Sequence, residues 1–286
     1  MQKKFAALTT KYYFCALKPH KYFDMKITKM ILAAMLAIGS YAANAQNTDD
    51  DDLLEFEKEA ANDNGFHFTT DFCSKYVWRG SAVCGTALQP EISYSVGGLT
   101  IGSWGSNSLN TTDIYQELDF FVEYSAGGAS IMVYDYCWTD DNGNFNYFGK
   151  YKDTHFLEVG LGYDFGEITE NLPLSFNVNT ILAGANRKAN DDQAYSTSME
   201  ITYAPSIKNI DLSLTVGAAS EDEDAAMYSR KGGFNLVNID LGVSHDFNIK
   251  DVATLTAGAH LICNPTGGAG AEKGEMFICA GFGISF

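Results

Sequence analysis

Alternation is clearest over residues 275–286, where Met276, Ile278, Ala280, Phe282, Ile284 and Phe286 fall on one side, and Glu275, Cys279, Gly281, Gly283 and Ser285 on the other. A period of two belongs to the β-strand, in which successive side chains point to opposite faces. The pattern recurs at 234–247, where Val237, Ile239, Leu241, Val243 and Phe247 oppose Asn238, Asp240, Gly242, Ser244 and Asp246. It recurs again at 209–219, with Ile210, Leu212, Leu214 and Val216 against Asp211, Ser213, Thr215 and Gly217. Twelve such segments follow one another: 66–78, 88–97, 99–106, 115–125, 129–138, 154–165, 173–183, 195–204, 209–219, 234–247, 252–263 and 275–286. Ser103/Trp104 and Ile131/Met132 leave the facing of the third and fifth segments open.

Segments of about 9–11 residues fit tilted strands crossing a bilayer. The connections also alternate in length. Those at 97–98, 126–128, 167–171, 205–208 and 248–251 are short, whereas 79–87, 107–114, 139–153, 184–194, 220–233 and 264–274 are long. That is the expectation for an up-and-down antiparallel transmembrane barrel with short periplasmic turns and longer outer loops. Aromatics near the strand ends, among them Phe66, Tyr76, Trp78, Tyr163, Phe165, Tyr195 and Tyr203, suit interfacial girdles. A soluble sandwich would instead place its bulkiest rings at mid-strand. The composition agrees: 27 Gly, 16 Tyr and 19 Phe accompany only 5 Pro, as expected of strands with one apolar and one polar face.

The amino-terminal region reads differently. Residues 25–45 contain Lys26 and Lys29, an apolar run at 30–38, and Ala43-Asn44-Ala45, the layout of a cleaved secretory signal starting at Met25. Residues 1–45 are thus an upstream extension plus signal, 46–64 an acidic disordered leader, and 65–286 the barrel. From residue 46 onward there are 12 bases against 35 acids, a net of −23, which excludes the basic footprint that nucleic acid requires. Five cysteines remain after the signal, and only Cys73 with Cys84 flank a loop short enough to suggest a bridge. No spacing for zinc, a phosphate loop or a dinucleotide is found, so no metal or cofactor is expected.

Ser74-Lys75-Tyr76-Val77-Trp78-Arg79-Gly80, Leu88-Gln89-Pro90 and Gly98-Leu99-Thr100-Ile101-Gly102-Ser103-Trp104-Gly105-Ser106 resemble the opening hairpins of the TorF-like porin family. The resemblance continues through Glu117-Leu118-Asp119 and Ser130-Ile131-Met132-Val133-Tyr134-Asp135-Tyr136, and it departs from the family pattern at Lys75. It implies a signal-bearing outer-membrane barrel with a porin role. The terminal Phe286, preceded by Ile284 and Phe282, is similar to the signal read by the barrel-insertion machinery.

If the apolar rows face lipid, the inward rows carry His67, Asp71, Lys75, Glu117, Asp119, Glu123, Asp135, Glu158, Asp164, Glu200, Asp211, Asp240 and Asp246, with Arg79 at the outer end of the first strand. Unpaired carboxylates in a dry core cost several kcal/mol each, so a wet interior is expected. Twelve strands close into a cylinder of roughly 12–13 Å radius, and acidic walls favour cations. The expected function is a weakly cation-selective diffusion pore for ions or small polar solutes, with no enzymatic activity. A lipase-like barrel hydrolase is the alternative, for which His155, His245 and His260 are the available histidines. A non-conducting structural or adhesion barrel is the third reading, with the aromatic and charged loop 139–153 as its binding surface.

Overall fold

The computed structural model describes residues 64–110, 114–140, 142–169, 172–250, 252–269 and 271–286. The secretory signal expected over 1–45 and the acidic leader expected over 46–64 lie outside the described residues, apart from Asn64.

The chain is all-β. Its strands are β1 (Gly65–Cys73), β2 (Tyr76–Trp78), β3 (Ser81–Cys84), β4 (Ala87–Val96), β5 (Leu99–Ser108), β6 (Gln116–Ala126), β7 (Ala129–Trp138) and β8 (His155–Asp164). There follow β9 (Leu174–Gly184), β10 (Thr197–Tyr203), β11 (Ser206–Ile207), β12 (Ile210–Glu221), β13 (Gly233–Ile249), β14 (Ala253–Asn264) and β15 (Glu275–Ser285). Each barrel strand pairs antiparallel with its neighbours in chain order; β1 pairs both β4 and β15, and β10 pairs β12, so the sheet closes. Strands β1, β4 to β10 and β12 to β15 make the twelve staves among the described residues. The two-residue β11 merely extends the turn before β12.

Alternation decides which side chains face out. Ile92, Ile101, Phe120, Val122, Leu161, Ile201, Leu241, Val243, Ile278 and Phe282 stand exposed around the outside. At the short-turn end Phe66, Tyr94, Phe176, Tyr203, Phe247 and Phe286 add an exposed aromatic ring, with Phe66 against Tyr94 at 4.9 Å. The turns there are tight: Gly97 and Gly98 both take positive φ (55° and 81°), as a two-residue hairpin turn requires. The facing left open by the sequence is resolved by burial, since Trp104 and Met132 point in while Ile131 points out.

The first predicted segment, 66–78, requires correction. The barrel strand ends at Cys73, and the backbone N–H of Ser74 still donates to Ala280 O at 2.8 Å. Beyond it, β2 and β3 form a hairpin that folds inside the barrel. Tyr76 and Trp78, expected in an interfacial girdle, are instead 3% and 0% exposed. They pack in one cluster with Trp104, Tyr136, Trp138, Phe156, Met227 and Tyr228. The tip of the hairpin presses on the wall: a Cβ on Gly80 would lie 2.0 Å from Val237 O, and φ there is +80°, so glycine alone fits.

Val237 marks a second correction. The β12–β13 register pairs Gly217 with Asn238 but Ala218 with Leu236, leaving Val237 as the extra residue of a bulge. Val237 and Asn238 are consequently both buried, at 1% and 0%, and Val237 does not belong to the outward row. A similar shift between Leu157 and Glu158, opposite β9, separates Ile181 (0% exposed) from Leu182 (42%).

Candidate functional site in the barrel interior

The interior divides along the barrel axis. In the long-loop half the hairpin brings Arg79 to β8, where its guanidinium makes a bidentate pair with Glu158: Nη1 to Oε2 at 3.0 Å and Nη2 to Oε1 at 2.6 Å. The same Nη1 donates to the Tyr228 hydroxyl at 2.7 Å, and the guanidinium lies over the Trp78 ring, 4.7 Å from its centroid. Arg79 is held at positive φ (45°), a conformation that costs a non-glycine residue energy and that the fork of contacts stabilises.

Tyr228 reaches inward because its loop is pinned by Glu221 at the end of β12. The Glu221 carboxylate accepts the N–H groups of Met227 (2.6 Å), Tyr228 (2.7 Å) and Ser229 (2.9 Å), together with the Ser229 hydroxyl (2.7 Å). Asn264 Nδ2 donates to Tyr228 O at 2.9 Å from the neighbouring wall. Neither Tyr228 nor Glu221 was singled out from the sequence. Both lie in or beside a long loop, and alternation says nothing about loops that fold back inside.

Other inward acids have partners of their own. Glu117 accepts the hydroxyls of Tyr76 (3.2 Å) and Tyr115 (2.8 Å). Glu200 accepts from Asn238 Nδ2 at 2.9 Å, across the gap that Gly217 leaves between them. Asp240 engages His260 Nδ1 at 2.9 Å. Asp119 points to the same interior, fully buried on β6.

Towards the short turns the inward rows become small, polar and only partly buried. His67 and Asp71 on β1, Glu123 on β6, Asp164 on β8, Asp211 on β12 and Asp246 on β13 lie in this half. Lys75 is on no barrel strand. It sits in the bend before β2, with its ammonium 5.7 Å from the centre of the Phe277 ring.

Asp135 is a correction of another kind. Ile131 and Val133 fix the outward row of β7, and Asp135 continues that row, so it faces away from the interior. Loop residues cover it there: Tyr147 and Tyr151 donate their hydroxyls to it at 2.7 and 2.8 Å, and His155 Nδ1 lies 3.2 Å away. The aromatic loop 139–153 thus straps the outer wall, with Tyr147 edge-on to Phe120 at 5.4 Å. His155 Nε2 meets Tyr147 O at 2.8 Å, so both ring nitrogens are engaged, neither of them by a serine hydroxyl.

The rim loops are tied to one another by Lys152–Asp191 (2.8 Å) and Lys188–Asp222 (2.9 Å). The Lys188 ammonium holds the Asp222 carboxyl below its ordinary range, and Asp222 in turn holds Lys188 above its own. All five described cysteines are free thiols, including Cys73 and Cys84, so the suggested bridge is not formed.

No family model matches the chain, and no curated protein matches it. Among solved structures, the NanC porin in a rhombohedral crystal form is 12% identical with a TM-score of 0.42, over 78% of this chain and 99% of its own. A bacterial polysaccharide outer membrane secretin is 10% identical with a TM-score of 0.39, over 78% of this chain and 98% of its own. The TorF-like resemblance has no counterpart among these matches, and the fold assignment rests on the barrel's own strand pairing.

Proposed function

We propose that this chain is a porin-like channel of the bacterial outer membrane, exported through the periplasm, inserted by way of its Phe286-terminated strand, and narrowed from within by the β2–β3 hairpin. One observation supports this reading above the others: the closed barrel has an apolar outer face ringed by aromatics and an inner face, in its short-turn half, of glycine, serine, threonine, asparagine and acids. A soluble barrel of this size would invert that arrangement, because the hydrophobic effect sets the apolar row against whichever medium is not water.

In this reading the short-turn half is a water-filled vestibule, and its part-exposed carboxylates, Asp71, Glu123 and Asp164 among them, concentrate cations. The permeating species are small cations and small polar solutes. Conductance is low because the passage meets the Arg79–Glu158 pair and the aromatic cluster around Trp78.

Planar bilayers with a salt gradient test the proposal. The full-length mature protein should give small stepwise currents with a cation-preferring reversal potential, and Glu123→Gln with Asp164→Asn should move that potential towards zero. A protein that stays monomeric in buffer without detergent, or bilayers that remain silent, would overturn the channel reading.

A further inference from the structure

The outer wall is not uniformly convex. A cavity of about 330 Å³ opens over β4, β5 and β6. Its floor is set by Pro90, Ser103 and Gly105, and its sides by Ile92, Leu118 and Phe145. The notch has a local cause. Elsewhere the outward rows of these strands carry Ile101, Phe120 and Val122, whereas Ser103 and Gly105 offer one hydroxyl and no side chain. Pro90 lacks an N–H, and the β4–β5 register passes from Leu88↔Asn107 to Glu91↔Trp104 without pairing the residues between. Phe145, from the loop strapped to the outside by Tyr147 and Tyr151, closes one side.

We propose that this notch holds one hydrocarbon chain of a bilayer lipid. The inference rests on the membrane reading above, since the notch is continuous with the apolar belt at Ile92 and Phe68. An empty apolar notch forfeits the dispersion contacts of its lining, and a mostly apolar recess offers water too few polar partners. Its polarity also runs in one direction. At the long-loop end Gln116 Nε2 donates to Asn107 Oδ1 at 3.2 Å, both side chains lining the cavity, while the opposite end is Phe68 and Ile92. A lipid of the outer leaflet presents its ester and headgroup to the polar pair and its tail to the belt. Ester oxygens accept from an amide such as that of Gln116, and the tail follows the line from Gly105 to Ile92.

The test is photolabelling. The mature chain is refolded into vesicles of phosphatidylethanolamine and phosphatidylglycerol doped with a phosphatidylglycerol bearing a diazirine in one acyl chain, and labelled peptides are mapped by mass spectrometry. Labelling should concentrate on 90–118 and on the peptide containing Phe145. Ser103→Leu, which fills the notch from a lipid-facing position, should lower that labelling about tenfold, the equivalent of roughly two methylenes losing burial. Phe145→Ala, which leaves the strands untouched, should lower it in the same direction. Heat-modifiable migration on gels should be unchanged for both variants, and labelling of the belt around β13 to β15 should match the parent. Uniform labelling around the belt, unaltered by either substitution, would overturn the notch while leaving the membrane reading intact. An absence of label from the whole barrel would overturn the membrane reading and the notch with it.

Discussion

The two halves of the barrel interior are built on opposite principles. Near the long loops the inward side chains are large and sealed: Trp78, Tyr136, Trp138, Phe156, Ile181 and Tyr228 are each at most 6% exposed, and the charged pair Arg79–Glu158 among them is only 3% and 2% exposed. Near the short turns the inward positions are repeatedly glycine, and neighbouring side chains lie flat in the space they leave. Asn179 covers Gly160, Phe121 covers Gly102 and Asp71 covers Gly283, each within 2.4 Å of where a Cβ would stand. Twelve staves give a cylinder wider than their own side chains can fill. One half resolves this by importing a hairpin as a core, and the other by thinning its wall with inward glycines that neighbouring side chains cover. The hairpin is therefore a part separable from the barrel that encloses it.

The strongest way to break this contrast is to take the hairpin out. Replacing residues 75–85 with a short Gly/Ser link should leave the twelve-stave pairing intact and raise single-channel conductance severalfold in planar bilayers, making the two halves alike. An unchanged conductance would mean that the outer loops, and not the hairpin, set the constriction. Next in size is the buried pair. Arg79→Ala leaves the Glu158 carboxylate without its cation, and loss of one partner from a buried ion pair costs about 3–5 kcal/mol. The cost should appear as a lowered unfolding midpoint in denaturant and as noisier, larger openings. Removing both charges together, Arg79→Met with Glu158→Leu, should recover most of the stability, because the unpaired charge and not the missing attraction dominates. If the double variant is as unstable as the single, the pair is contributing net attraction and the passage is drier than proposed.

The staves were legible from the sequence because a half-buried strand must alternate, and eleven of the predicted segments lie within a few residues of the observed strands. The interior was less legible, for three separable reasons. Tyr76 and Trp78 continue the apolar parity of the first segment although the barrel strand stops at Cys73, and in the enclosed hairpin Tyr76, Val77 and Trp78 are all buried, so parity does not mark where the wall ends. Bulges shift parity without leaving a compositional mark, and Val237 was assigned outward by counting through one. Asp135 is expected on an inward row in a segment whose facing Ile131/Met132 leave open, and the structure continues the outward row of Ile131 and Val133 through it. It is carried outside because Tyr147, Tyr151 and His155 cover it, and those contacts come from a loop that no periodicity describes. The acids that did fall on inward positions, such as Glu158 and Glu200, were found by parity alone; that each would have a named partner was not readable.

A smaller effect separates the hairpin's anchor from its fit. Tyr228→Phe deletes the hydroxyl that accepts from Arg79 Nη1 but keeps the ring against Trp78, 4.9 Å away. The cost should be about 1.5–3 kcal/mol, in the range of a single hydrogen bond to a charged group, and conductance should scarcely change. A loss as large as that of Arg79→Ala would show that Tyr228, pinned by Glu221, is the principal anchor and the ion pair its accessory.

The weakest expected effect lies on the rim, where Lys188 and Asp222 join two loops in solvent. Asp222 titrates below the ordinary carboxylate value of 3.8, chiefly through its hydrogen bond from Lys188, so whatever it contributes is present above that value and lost as pH falls through the depressed one. Lys188 titrates above 10.5, chiefly through the same bond, and its contribution is present below that value and lost as pH rises through the raised one. The pair is therefore intact throughout the neutral range, yet exposed pairs of this kind contribute little because water and salt screen them. Lys188→Ala should leave the unfolding midpoint within error of the parent from about pH 5 to pH 9, and added salt should not alter the comparison. A clear, salt-sensitive destabilisation at neutral pH would move part of the outer half's stability from its buried core to its rim. The hairpin would then be held in place as much by the loops above it as by the side chains around it.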